Sequence, residues 1–379
     1  MEWVCCQLGA REHYAVPRAL EHRGLLRELF TDLWARPGSM LRAMKSAAGR
    51  FHPGLASARV TAPNRQALAF AAQSRMAGQS GWELINKRNE WFQKSVVVQL
   101  ARRQHNGEPL SIFAYSYAAE GIFKFARERG WRTVLGQIDP GPAEEKIVAS
   151  PNPAPLEYWR QWERECELAD RIVVNSNWSR DALLSEGVVA EKIRVIPLAF
   201  EPPDESHSFK RSYPAVFTPE RPLRVLFLGQ INLRKGAKQL FEAVRLLANE
   251  PIDFQFVGPL QIDVPQDRIN WFGIAARSDV ARFYRDADVF ILPTLSDGFG
   301  LTQLEAQSWK LPVIASRYCG DVVRHDFNGM LLEDVSGPTI AETLRQLLRS
   351  PERLQTMSDN SRVEERFSLS SLAASLSTL

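Results

Sequence analysis

Two carboxylates, Asp297 and Glu305, bracket the run Gly298-Phe299-Gly300-Leu301-Thr302. The apolar stretch Val289 to Leu292 leads into it as a strand, Leu301 to Trp309 has helical character, and Pro312 to Ala315 reads as the next strand. A glycine turn that opens a helix leaves backbone N–H groups without intrahelical partners at the positive end of the helix dipole. Such a turn suits a phosphate or diphosphate. Leu301, Leu304 and Ser308 follow i, i+3, i+7 spacing and define an inward face, and Glu305 falls on the same stripe, where a charge needs a partner. Ligand hydroxyls are one such partner; the plainer alternative sets Glu305 at the edge of the stripe, facing water. A second constellation follows the apolar run Leu223 to Leu228. Its loop, Gly229 to Gly236, carries Gln230 and the adjacent cations Arg234 and Lys235. Two cations at a strand end match the charge of a diphosphate, although surface basic pairs commonly have no partner.

These residues resemble the donor-site signature of the family 4 (group 1) retaining glycosyltransferases of the GT-B fold. In that family a Glu, a Gly-Phe-Gly-Leu run and a second Glu stand in the places of Asp297, Gly298 to Leu301 and Glu305, and Ala306 and Leu311 to Ala315 also fit. The family's Gly-Arg and Lys-Gly pair, which hold the donor phosphates, correspond to the segment from Gly229 to Gly236. Lys235-Gly236 matches, Gln230 stands in place of the Arg, and Arg234 offers the second charge. Asp replaces the first Glu, and Trp309-Lys310 replaces a small residue and Gly. A His that commonly faces the donor sugar has no counterpart in Gln137-Ile138-Asp139; Asp139 either does similar work or only starts the turn at Pro140-Gly141.

The resemblance implies a sugar transferase with a nucleotide-diphosphate sugar as co-substrate and no obligatory cofactor or metal. It implies retention of anomeric configuration, with the leaving diphosphate taking the acceptor's proton. Lys235, Arg234 and the N–H groups from Gly300 to Thr302 would hold the diphosphate, Glu305 the ribose and Asp297 the sugar. Two other readings stay open: a nucleotide-sugar epimerase on the same fold, and a sugar-nucleotide-binding protein without activity, which the changes at Gln230, Asp297 and Gln137 keep alive.

The elements that must position these residues alternate strand and helix along the whole chain, which implies α/β architecture: two doubly wound, Rossmann-like domains with parallel sheets facing across a cleft. The expected division is an acceptor-side domain over 1–205, a linker rich in Pro, Ser and charge over 206–222, a donor domain over 223–358, and a tail over 359–379 that packs back on the first domain. Trp3 to Leu8 reads as the first strand, followed by Gly9, Arg11 and His13 in a strand–glycine–helix opening. With Asp139 these form the acceptor-side candidates. Helices are expected at Met40–Ala48, Gln66–Met76 and Asn86–Gln104. Asp286-Ala287-Asp288 has the spacing of a metal–diphosphate motif, but Ala287-Asp288 precedes a strand just as Ala169-Asp170 does, so both read as structural helix-to-strand joints.

At 379 residues, 45% hydrophobic and 24% charged, the chain has the composition of a two-domain globular protein. The apolar runs are too short to span a bilayer, and Met1-Glu2-Trp3 does not open a signal-peptide pattern. Cys5, Cys6, Cys166 and Cys319 form no zinc spacing, so buried thiols in a cytoplasmic chain are expected. The net charge of +3 is unevenly spread. From Leu33 to Trp82 there is no acidic residue against seven basic ones: Arg36, Arg42, Lys45, Arg50, Arg59, Arg65 and Arg75. This basic stretch over 36–75 faces an anionic membrane surface, an anionic acceptor (glycan, lipid or small molecule) or only water. No nucleic-acid motif accompanies it.

Overall fold

The structure, a computed structural model, describes residues 1–44, 47, 49–103, 109–149, 152–263 and 269–379. Its first sheet contains β1 (Glu2–Gln7), β2 (Leu26–Thr31), β3 (Val60–Thr61), β4 (Leu110–Tyr115), β5 (Arg132–Gly136), β6 (Arg171–Val174) and β7 (Ile193–Val195). They are ordered β3-β2-β1-β4-β5-β6-β7. The second contains β8 (Leu223–Leu228), β9 (Ile252–Val257), β10 (Asn270–Trp271), β11 (Val289–Leu292), β12 (Val313–Ala315) and β13 (Gly329–Leu331), ordered β10-β9-β8-β11-β12-β13. All these pairings are parallel; Cys5, for example, aligns with Leu29 on one side and Phe113 on the other. Helices cover both faces of each sheet, so β4 and β11 are buried from end to end and read as continuous apolar runs.

In each sheet the strand order reverses once, between β1 and β4 and between β8 and β11. Ligands of open parallel sheets collect beyond the carboxyl ends of strands at such switch points. The loops leaving those strands carry Gly9, Ser116, the segment from Gly229 to Gly236, and the segment from Pro293 to Gly300.

The expected two-sheet architecture is therefore present, with local corrections. The described residues of Met40–Ala48 do not form a regular helix. Met40–Ala43 is a single 3-10 turn, and the amides of Met44 and Ala47 reach back only three residues, to Leu41 and Met44. Met40 and Met44 are exposed, and only Leu41 and Ala47 of the segment join Leu33 and Ala35 in a small apolar cluster. Lys45, Ser46 and Ala48 lie outside the described residues, as does Gln104; the long helix before it runs Gly81–Ala101. The segment expected as a linker is seated on the second sheet's domain. Arg211 donates to the carbonyls of Tyr284 and Trp309 at 2.7 and 3.0 Å, Tyr213 donates to that of Asp288 at 2.9 Å, and Phe217 joins the apolar core. The last helix, Leu369–Ser377, inserts Leu372, Ala373 and Leu376 among Tyr14, Val16 and Leu20 of the first domain. All four cysteines are buried and free. Among the described residues no helix is long and apolar enough to cross a membrane.

Candidate active site

The two switch-point loops of the second sheet are stitched together. The Leu295 amide and the Thr294 hydroxyl both donate to the Arg234 carbonyl, at 2.8 and 3.0 Å. Gly236, at φ +70°, lies so close to Pro293 that a Cβ would overlap its carbonyl oxygen. Only glycine lets these loops meet, and their meeting brings Lys235 onto Asp297, Nζ to Oδ2. Arg234 lies behind the pair: Nη1 donates to the Ser296 carbonyl at 3.1 Å and stands 3.8 Å from Asp297 Oδ1. Burial alone would raise the Asp297 carboxyl, but Lys235 and Arg234 outweigh it and hold the group below its ordinary value. Asp297 Oδ1 also accepts from the Phe299 amide at 3.4 Å. Gly300, at φ +78°, turns the chain into the helix Thr302–Ser308, one residue shorter at each end than expected. That helix is buried on more sides than a single stripe, and Gln303 and Gln307 point inward with Leu304 and Ser308.

The first domain closes directly on this loop. A Cβ on Gly298 would overlap the Ile138 carbonyl oxygen, so the turn lies against Ile138 and Asp139. The Ser296 hydroxyl donates to Glu144 Oε2 at 2.9 Å and accepts from the Trp178 indole N–H at 3.2 Å. Asn177 donates to Asp321 at 2.9 Å. Glu144 Oε1 lies 3.7 Å from Arg234 Nε. Desolvation pushes the Glu144 carboxyl up to about 7, with Asp139 and Asp297 adding to the rise and Arg234 opposing it. Asp139 starts the turn: its Oδ1 accepts from the Gly141 amide at 2.9 Å, an Asx turn, and also from the Tyr117 hydroxyl at 2.5 Å.

Glu305 stands apart from the cation cluster. Its Oε2 accepts from the buried Tyr284 hydroxyl at 2.6 Å. Burial raises its carboxyl, and the Tyr284 bond only partly counters this. Glu305 and Leu301 line a cavity of 250 Å³ that also receives Arg277 and, from the first domain, His13 and Arg18. Arg277 Nη1 lies 3.0 Å from His13 Nδ1. A guanidinium can only donate, so that ring nitrogen accepts and the imidazole is neutral. Burial and the nearby arginines lower its basicity accordingly. Glu12, His13 and Tyr14 all hold positive φ, at 49°, 52° and 62°. Three successive non-glycine residues in this region store strain of the kind that clusters at ligand-facing turns.

The structure thus brings together Lys235, Arg234, Asp297, Gly298 and Asp139, with Glu305 and His13 across a second cavity. Gly9 donates its amide to Asp32 at 2.9 Å, and Arg11 lies over the Tyr115 ring. Gln230 is exposed and takes only a long contact from Asn232, 3.4 Å. Asp288 is structural: it accepts from Arg221 at 2.6 and 2.7 Å and from the Arg224 amide at 2.9 Å. Asp170 takes the Thr133 amide at 2.8 Å in the same way in the first domain. Among the described residues no group of three metal-ligating side chains occurs. Glu144, Tyr284, Trp178 and Arg277 are additions that the sequence did not single out. A faint signal existed for Glu144 alone, an acidic residue in the first turn of the helix Pro142–Val148 beside Asp139.

Known proteins agree with this arrangement. Residues 210–364 match the family model of the glycosyl transferases, group 1. The chain is 24% identical over 185 residues to the amylovoran biosynthesis glycosyltransferase AmsK of Erwinia amylovora, covering 44% of each chain. It is 26% identical over 279 residues to a D-inositol 3-phosphate glycosyltransferase of Arthrobacter sp. strain FB24, covering 67% of this chain and 66% of the relative. The chain spans about half the length of several curated relatives that it matches. Among solved structures, Anabaena Alr3699/HepE in complex with UDP superposes with a TM-score of 0.66 over 100% of both chains at 16% identity. The lipopolysaccharide outer core galactosyltransferase WaaB does so with a TM-score of 0.60 over 100% of both at 14% identity. Sheet order, loop geometry and these superpositions converge on one architecture: the chain has the GT-B fold, and its residues 210–364 are similar to the group 1 glycosyl transferases.

Proposed function

We propose that the chain transfers a sugar from a nucleotide-diphosphate donor to an acceptor with retention of anomeric configuration, with 1–205 on the acceptor side and 223–358 on the donor side. The observation that carries this is the meeting of Lys235, Arg234 and Asp297 at the switch point of one sheet, against Ile138 and Asp139 of the other. The two cations neutralise charge on the diphosphate as it departs, and the N–H groups of Gly300 to Thr302 add to them. Glu305 accepts from the ribose hydroxyls. Asp297 holds sugar hydroxyls near the reacting carbon, and its bond to Lys235 loosens as the phosphate becomes the cation's partner. The leaving diphosphate takes the acceptor's proton, so the scheme needs no separate base and no metal. A cytoplasmic chain held at a membrane's inner face by the exposed Arg36, Arg42 and Arg65 fits the same scheme.

Anabaena Alr3699/HepE was crystallised with UDP and with UDP-glucose, which makes uridine nucleotides the first donors to try. The test is a thermal-melt screen of nucleoside diphosphates and their sugars. One class should stabilise the chain by about 2.7 kcal/mol at a hundredfold excess over its Kd. Free nucleoside diphosphate should then appear only when acceptor is added. Donor consumption without acceptor, giving an isomeric sugar nucleotide, would replace transfer with epimerisation.

A further inference from the structure

A cavity of 900 Å³ lies wholly in the first domain. Ile138 and Asp139, the residues on which Gly298 rests, line one part of it. Away from them its wall is aliphatic and aromatic: Leu33, Leu68, Phe70, Leu84, Ile85 and Trp91. Two helices supply most of this wall, Asn64–Met76 and Gly81–Ala101. The first is poorly seated. Ser74 is its sole buried residue, while Leu68 and Phe70 remain half-buried on the cavity side and Phe70 stacks on Trp91 at 5.3 Å. Apolar groups turned toward an open cavity gain free energy only when something apolar fills it.

The charged groups of the same cavity are unbalanced. Arg11, Arg50, Arg75 and Arg88 face Asp32 and Asp139. Asp32 is shared by Arg50 at 2.7 Å and Arg88 at 3.0 Å, so one carboxylate serves two guanidiniums. Arg50 and Arg75 come from the acid-free stretch of the sequence, which thereby acquires a location: it builds the wall of this cavity.

We infer that the acceptor is an amphipathic anion, an aliphatic chain headed by a phosphate or carboxylate. Its chain lies between Leu68, Leu84 and Trp91, its head meets Arg50 and Arg88, and the hydroxyl to be glycosylated is directed toward Asp139 and Asp297. This rests on the transferase reading, because the cavity meets the donor loop only through Ile138 and Asp139. A free glycan has no use for the aliphatic wall, and a neutral lipid leaves the surplus guanidiniums unmatched.

The test is calorimetric titration of the full chain with farnesyl monophosphate, farnesol and inorganic phosphate, alongside a nucleoside diphosphate. Farnesyl monophosphate should bind at least tenfold more tightly than either fragment. Leu68→Glu and Arg88→Ser should each weaken it by tenfold or more. Both sites are half-buried, so the fold survives, and nucleoside diphosphate binding should stay at the parent level. Inorganic phosphate or farnesol binding as tightly as farnesyl monophosphate overturns the inference, as does binding that survives both variants. A chain that binds nucleoside diphosphate but no farnesyl monophosphate overturns the acceptor class alone. A chain that binds no nucleoside diphosphate overturns the transferase reading.

Discussion

In the proposed scheme the Lys235–Asp297 pair is the chemical centre, and its two members take different partners when a donor binds. On that proposal Lys235 exchanges a carboxylate for a phosphate, whereas Asp297 is left to the sugar. Asp297→Ala should therefore lower turnover about a hundredfold while nucleoside diphosphate affinity changes by no more than about threefold, a loss near 2.7 kcal/mol confined to the transition state. Steady-state kinetics beside calorimetry checks this; equal losses in both would make Asp297 a builder of the loop. Glu144 gives a pH-dependent counterpart. Its carboxyl rises from 4.5 to about 7 on burial, so the folded state binds its proton more tightly than the unfolded state. The sign follows: Glu144 favours folding below roughly pH 4.5 to 5, and this contribution is lost as pH rises toward 7 and above. Glu144→Gln keeps the Ser296 contact without the charge. Its melting temperature should gain on the parent's steadily between about pH 5 and 8. A constant difference across that range would contradict the burial of an ionisable group there.

At the scale of elements, most of the strands and the glycine turn after β11 were legible because short-range chemistry fixes them, whereas the two-residue strand Val60–Thr61 was not. β11 is a continuous apolar run, Gly298 and Gly300 sit where the backbone meets Ile138 and turns at positive φ, and Lys235-Gly236 lies at a strand end. The helix expected over Met40–Ala48 was misread because its apolar spacing was taken for a buried face, whereas Met40 and Met44 are exposed and only Leu41 and Ala47 pack, against Leu33 and Ala35. Glu144 was illegible for a different reason: its partner Ser296 is 152 positions away, and nothing local marks a residue whose role depends on another domain. The large first-domain cavity was likewise hidden, since it depends on how loosely Asn64–Met76 is seated. The closing helix offers a test of element packing. Leu376 is fully buried against the first domain, so Leu376→Ala should cost about 2–5 kcal/mol in denaturant unfolding of that domain. A cost below about 0.5 kcal/mol, typical of surface sites, would mean that the helix is not docked there.

At the scale of the molecule, two sheets with matching switch points are brought face to face by the chain's return at Leu369–Ser377 and by the contacts of Gly298, Ser296 and Asn177. The proposed donor groups fall in two places, the Lys235–Asp297 cluster and the Glu305–Tyr284 pocket, which a ligand with a phosphate end and a nucleoside end would use together. The most direct measurement is calorimetric titration of uridine diphosphate and of uridine into the parent, Lys235→Ala and Glu305→Ala, with folding verified by circular dichroism. A charge-assisted hydrogen bond contributes roughly 1.5–3 kcal/mol. Lys235→Ala should then weaken uridine diphosphate by about ten- to a hundredfold or somewhat more while leaving uridine unchanged, and Glu305→Ala should weaken both by that factor. Folded variants that bind both ligands like the parent would contradict a nucleotide-sugar site between these domains, and the transferase assignment would fall with it.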